Sequence, residues 1–165
     1  SIDKVNGEWH ARATMQYTNT GKFDWRTTRY RTYARVFVPS GAKFVRGEGS
    51  MKWDRTNEAG NYDSGAELGR NWFGAFISIE PGETKTLTFE YILPSAIVEK
   101  INKDSYSLLI EKQNGLPELG LTLNLKFDRN IVNATPGEDL SKYGDETYEY
   151  ATTTLRRDLS VVVDF

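Results

Sequence analysis

A single histidine, His10, and no cysteine leave this 165-residue chain with few of the side chains that carry covalent or metal chemistry. A Ser-His-Asp triad has one place to form, around His10. That residue falls on the polar side of an alternating run, and no Gly-x-Ser-x-Gly elbow occurs anywhere, so it is expected on the surface. His-rich zinc catalysis is excluded by the same count. The lack of cysteine removes disulfides, thiolate nucleophiles and Cys-ligated zinc together. What remains is oxygen and aromatic chemistry. Asp54, Asn57, Glu58, Asn61, Asp63 and Glu67 gather oxygen donors in a glycine-containing stretch, which is the ligand type of Ca2+. Asp54, Asn57, Asn61 and Asp63 are the candidate ligands, although their order is not that of an EF-hand loop. Glu138, Asp139, Asp145 and Glu146 form a second acidic set. Polar loops carry such residues for turn chemistry alone, so no cofactor is expected, with Ca2+ as the one candidate. Paired carboxylates also serve glycoside hydrolysis, but among 23 acidic residues nothing singles out a pair.

The aromatic side chains divide by context. Trp9 and Phe73 fall on inward positions of alternating runs and are expected in a core. Trp25 and Trp53 stand in irregular segments between charged neighbours, Asp24 and Arg26 in one case, Lys52 and Asp54 in the other. Burying either ring would drag those charges inward at a cost, so partly exposed indoles are expected. Apolar sugar faces pack on exposed aromatics, which makes Trp25, Trp53 and Trp72 the candidate ligand-binding residues.

The elements that must position these groups are strands. Trp9, Ala11, Ala13, Met15 and Tyr17 alternate with polar residues, as a strand with one buried face requires. Similar runs span Tyr30–Val38 and, more briefly, Phe44–Gly47. Gly47–Gly69 is expected to be a long polar excursion with room for a small hairpin. Alternation resumes at Phe73, Ala75, Ile77 and Ile79 and again at Leu87, Phe89, Tyr91 and Leu93, around Pro81-Gly82-Glu83, which predicts a central β-hairpin. Ser95–Asn102 is the one expected helix, opened by Ser95 with Ile97, Val98 and Ile101 on its apolar side. A second hairpin is predicted from Tyr106, Leu108 and Ile110 through Asn114-Gly115 to the run Leu119–Phe127. Ile131-Val132, Thr147–Leu155 and Leu159–Phe165 complete the strand set, with a polar loop at Pro136–Gly144. Eight or nine strands without a βαβ rhythm predict an all-β fold. It is expected to be one immunoglobulin-like antiparallel β-sandwich domain over residues 1–165 with one short helix; a closed β-barrel is the alternative.

Composition narrows the function classes. With 38% hydrophobic and 27% charged residues of both signs, the chain has the means to bury a core and is not a disordered polyelectrolyte. A net charge of −2 argues against nucleic acid, since the one basic cluster, Arg26, Arg29, Arg31 and Arg35, is diluted by Asp24, threonine and tyrosine. No apolar stretch approaches the roughly 20 residues of a membrane span, so no membrane insertion by this domain itself is expected. The start Ser1-Ile2-Asp3-Lys4 is not a signal peptide, and any targeting or anchoring segment is expected to lie outside this chain.

Several segments in this order resemble a known family. They are Asn6-Gly7-Glu8-Trp9, Tyr17-Thr18-Asn19-Thr20, the run Arg31 to Ala42, Phe76 through Pro94, and Tyr106 through Gly115. The set is similar to the C-terminal β-rich region of a bacterial envelope family catalogued as domain of unknown function 4012. The resemblance runs from about Asn6 to Phe127, with a weaker match at Asp158–Phe165. It implies the exported end of a membrane-anchored protein and supplies no catalytic residues. The expectation is therefore a non-catalytic extracytoplasmic module of structural or protein-interaction type, with a protein or envelope component as partner. A carbohydrate-binding module using the exposed tryptophans is the alternative, and an enzyme in its own right ranks third.

Overall fold

The strands form where period two places them, but they choose different neighbours. The structure, a computed structural model, describes residues 1–113, 115, 119–142 and 144–165. In chain order the elements are β1 (Ile2–Val5), β2 (Glu8–Thr18), β3 (Tyr30–Val38), β4 (Lys43–Glu48), β5 (Asp63–Glu67), β6 (Arg70–Ile79), β7 (Thr84–Ile92), α1 (Ser95–Lys103), β8 (Ser105–Ile110), β9 (Leu121–Lys126), β10 (Asn133–Thr135), β11 (Thr147–Thr152) and β12 (Leu159–Asp164). The chain divides into two compact units, Ala11–Pro94 and a discontinuous one made of Ser1–His10 with Ser95–Phe165.

In Ala11–Pro94 one sheet has the order β3-β6-β5, and β7 lies between β2 and β4 in the other. Val38, Phe73, Ala75, Ile77 and Ile79 from the first sheet pack with Leu87 and Phe89 from the second. Met15, Tyr17 and Tyr91 close around them. This is a two-layer antiparallel sandwich.

The expected hairpin between Phe73–Ile79 and Leu87–Leu93 is corrected by this arrangement. β6 pairs with β3 and β5, with Ala34 opposite Ala75 and Gly65 opposite Trp72, whereas β7 pairs with β4. Pro81-Gly82-Glu83 instead carries the chain from one sheet to the other, closed by Glu83 N–H donating to the Glu80 carbonyl at 3.0 Å. The reason is physical: alternation says which face a strand buries, not which strand lies beside it. Two strands with one apolar face each satisfy those faces by looking at one another across the core. The tight hairpin lies one strand earlier, where Leu68 and Gly69, with φ of 52° and 73°, turn β5 back into β6. The polar excursion before it is itself tied down by a bridge between Met51 and Ala59.

The discontinuous unit also has two sheets, but β1 runs parallel to β9, with Ile2 opposite Leu125. One sheet has β9 between β11 and β1, and the other has the order β10-β12-β8. β1 turns into the start of β2 through Asn6-Gly7, both at positive φ (51° and 87°), the backbone that a two-residue hairpin requires. The second expected hairpin is also corrected. β8 pairs with β12, Tyr106 opposite Val163, while β9 pairs with β11, Leu123 opposite Tyr150. Part of the turn expected at Asn114-Gly115 lies outside the described residues. The inward face of β9 is as predicted, with Leu123, Leu125 and the following Phe127 buried. Phe127 meets Trp9, Tyr106 and Phe165 at ring-centroid distances of 5.9, 5.7 and 4.7 Å. α1 buries Ile101 and ends in Lys100 and Lys103, which suit the negative end of its dipole. The short strand expected at Ile131-Val132 forms two residues later, as β10. The fold class is an all-β sandwich with one helix, and no barrel closes among the described residues.

Candidate functional site

The segment between β2 and β3 is built by its own polar side chains. Asn19 joins it to the sheet-crossing turn: its N–H donates to the Glu83 carbonyl at 3.0 Å, and its carbonyl accepts from Gly82 N–H at 2.8 Å. The Asn19 side-chain amide donates to the carbonyls of Thr28 and Ile79, both at 3.0 Å, and its Oδ1 accepts from Gly21 N–H. At the tip, the Asp24 carboxylate accepts the N–H groups of Arg26 and Thr27 at 2.8 and 2.7 Å. Those two bonds hold its carboxyl below the usual range, so the tip keeps its shape wherever Asp24 stays ionised. The Thr27 hydroxyl accepts from Lys22 N–H at 2.9 Å and donates to the Lys22 carbonyl at 2.8 Å.

With Asp24 turned toward the backbone, its two aromatic neighbours are left outside. Phe23 is 63% exposed and Trp25 89%. Each carries a cation: Arg26 lies 4.9 Å from the Trp25 ring, and Arg29, ion-paired to Glu80, lies 5.0 Å from the Phe23 ring.

Trp72 has a different setting. It stands on β6 directly opposite Gly65 on β5, and a Cβ at Gly65 would come within 2.6 Å of the indole. The ring therefore lies down on the glycine. Arg35 from β3 covers it at 4.4 Å and reaches Glu67 at 3.4 Å. Tyr33 repeats the pattern over Gly74, where an added Cβ would meet the phenol at 2.7 Å. Its hydroxyl donates to Asp63 at 2.5 Å. Partial burial, and then this bond, push the Tyr33 hydroxyl up to about 12. On the outer face of β3-β6-β5 Trp72 and Tyr33 thus each rest on a glycine, while Tyr33 and Phe37 stay 43% and 44% exposed.

Trp53, half exposed, has the Lys52 ammonium 4.5 Å from its ring. Among the described residues no ring contact joins Trp25, Trp53 and Trp72. The candidate Ca2+ ligands are likewise placed apart in their roles. Asp54 accepts from Arg31 Nη2 at 2.6 Å and Nε at 3.0 Å, which holds its carboxyl below the usual range. Asp63 accepts from Tyr33. Asn57 lines an open cleft of roughly 250 Å3 with Ser50, Met51, Glu58, Lys85 and Thr86, and Asn61 is exposed. Among the described residues no three acidic or histidine side chains gather closely enough to hold a metal ion. In the second acidic set, Asp139 accepts from Ser141 N–H at 2.9 Å and Asp145 from Thr147 N–H at 2.6 Å, both local turn contacts. His10 is half-buried on β2.

Sequence reasoning missed Phe23, Tyr33 and Arg35. The signal for Phe23 was present in the alternation Lys22-Phe23-Asp24-Trp25-Arg26 inside a polar segment; the packing of Tyr33 and Arg35 depends on strand neighbours. The chain matches no family model, no curated protein and no solved structure.

Proposed function

We propose that this chain is a non-catalytic interaction module that holds contact residues on a rigid sandwich, working outside the cytoplasm as part of a cell-envelope protein. The observation that carries the reading is the tip between β2 and β3, where Phe23 and Trp25 face solvent on a backbone fixed by Asn19, Asp24 and Thr27. Ordering a contact loop in advance lowers the entropy cost of binding, and aromatic anchors flanked by arginine are the side chains that dominate interfaces. The envelope setting follows from the family resemblance. The carbohydrate-binding reading loses support because Trp72 is covered by Arg35 on one side and seated on Gly65 on the other.

A photo-cross-linking residue at position 25, compared with one at Thr14 on an exposed sheet position, tests it in cells that produce the chain. Adducts with envelope components from position 25 but not from position 14 are expected. Equal or absent adducts at both would overturn the reading.

A further inference from the structure

We infer that the tip Lys22–Arg26 docks at the surface of an anionic lipid bilayer, with Phe23 and Trp25 at headgroup level. The inference rests on the module reading above and names its partner.

Three features favour a bilayer over a sugar or a protein pocket. The first is the order of chemistry along five residues: cation, ring, carboxylate, ring, cation. Tryptophan settles at the membrane–water interface because its apolar body and polar N–H suit the two media, and adjacent lysine and arginine meet anionic headgroups. Arg26 sits against the Trp25 ring at 4.9 Å, so ring and guanidinium would reach the same depth. The second is the backbone. The N–H groups of Lys22, Asp24, Arg26 and Thr27 are bonded within the tip, so the turn that presents Phe23 and Trp25 is ordered in advance and loses little conformational entropy on docking. The third is charge. Lys22 and Arg26 outnumber Asp24 at the tip, while the chain as a whole carries −2. An anionic surface therefore attracts this end and repels the remainder, which sets orientation. No span is involved; only side chains enter, and the two rings are 63% and 89% exposed.

The test uses the intact 165-residue chain with large vesicles of phosphatidylcholine alone or mixed 3:1 with phosphatidylglycerol, read by co-sedimentation and by tryptophan emission. Binding to the anionic vesicles with a blue shift is expected. Phe23→Ala with Trp25→Ala should abolish both signals, and Trp53→Ala should change neither. Lys22→Gln with Arg26→Gln should weaken partitioning by roughly 25-fold, at about fivefold per charge near the surface. Unchanged melting of these exposed-site variants certifies their folding. Failure to bind anionic vesicles, binding that survives the ring substitutions, or Trp25-dependent quenching by free oligosaccharides in place of vesicles would each overturn the assignment. Absent vesicle binding together with a protein adduct at position 25 overturns the lipid partner and leaves the module reading standing. Absence of both overturns both.

Discussion

Replacing Gly65 with alanine should destabilise the Ala11–Pro94 unit, against the usual sign of the change. In a strand interior, glycine to alanine is ordinarily favourable by about 0.5–1 kcal/mol, because glycine loses more backbone freedom on folding. Here the new methyl would stand 2.6 Å from the Trp72 ring carbon, well inside contact distance, so the indole must lift. Lifting exposes one ring face. If that is about a third of the 150–250 Å2 an aromatic residue buries, the loss is about 1.5 kcal/mol at 25 cal/mol per Å2. The stack with Arg35 at 4.4 Å goes with it, for a further ~0.5–1 kcal/mol. Setting the propensity gain against these losses leaves a net cost of about 1.5 kcal/mol, or a fall in Tm of roughly 3–6 °C for a chain of this size. The assay is a double-mutant cycle by urea denaturation with Gly65→Ala, Trp72→Ala and the pair. In the Trp72→Ala background Gly65→Ala should recover its ordinary stabilising sign, which gives a coupling of about 2 kcal/mol. Gly65→Ala that stabilises in both backgrounds would refute the claim that the ring is seated on the glycine.

Three further outcomes are expected. Leu123→Ala should cost about 2–5 kcal/mol and Thr122→Ala, on the outward face of β9, far less in the same urea titration; equal losses would contradict the observed face. Thermal melts with and without EDTA should coincide, because Asp54 and Asp63 are engaged by Arg31 and Tyr33; a fall of many degrees with chelator would restore the Ca2+ site. The third concerns acid. Lys4 at 2.7 Å holds the Asp128 carboxyl below its usual range. A lowered folded value means that the contribution is complete above the unfolded value of about 3.9 and is lost as pH falls through the folded one. Wild type should therefore lose more stability below about pH 4 than Lys4→Met, in denaturation followed across that window, and identical acid profiles would count against the pair.

Much of the local structure was legible, and the reasons are specific. The charged neighbours of Trp25 and Trp53 predicted exposure, and the rings are 89% and 50% exposed. The alternation of β2, β6, β7 and β9 predicted their buried faces, and Ser95 marked the helix start. The packing of the candidate Trp72 was not legible, because its cover, Gly65 and Arg35, comes from strands β5 and β3, and strand adjacency leaves no mark on a single sequence. The β5–β6 turn was hidden for another reason: Leu68 occupies a positive φ that leucine does not advertise, whereas Asn6-Gly7 carries the residue pair such turns prefer. Among the acidic residues, composition showed ligand type but could not show that Asp54 already answers Arg31.

The two corrected hairpins share one cause, and it yields the sharpest test of the topology. Turn residues between two alternating runs predict a hairpin only if the runs must be neighbours. A sandwich offers the same apolar faces a second solution, in opposite sheets. On the hairpin expectation β8 pairs with β9, and the C-terminal run Leu159–Phe165 is free to lie at a sheet edge. In the structure β12 is instead the middle strand, with Val162 opposite Ser107 on β8 and opposite Thr135 on β10. The side chain of Val162 points outward and is partly exposed, so its burial contributes little. Its backbone is what counts. Val162→Pro removes a ladder donor and places a ring where a middle strand has neighbours on both sides, so it should cost more than about 3 kcal/mol. Val162→Ala, which keeps the donor, should cost less than about 1 kcal/mol, within the range of β-propensity effects. Urea midpoints of the two variants, with amide exchange at Tyr106 and Leu108, measure this. Proline should lower the midpoint and speed exchange on β8, while alanine leaves both near wild type. A proline variant as stable as the alanine one would place β12 at an edge and restore the β8–β9 pairing that the turn residues alone foretell.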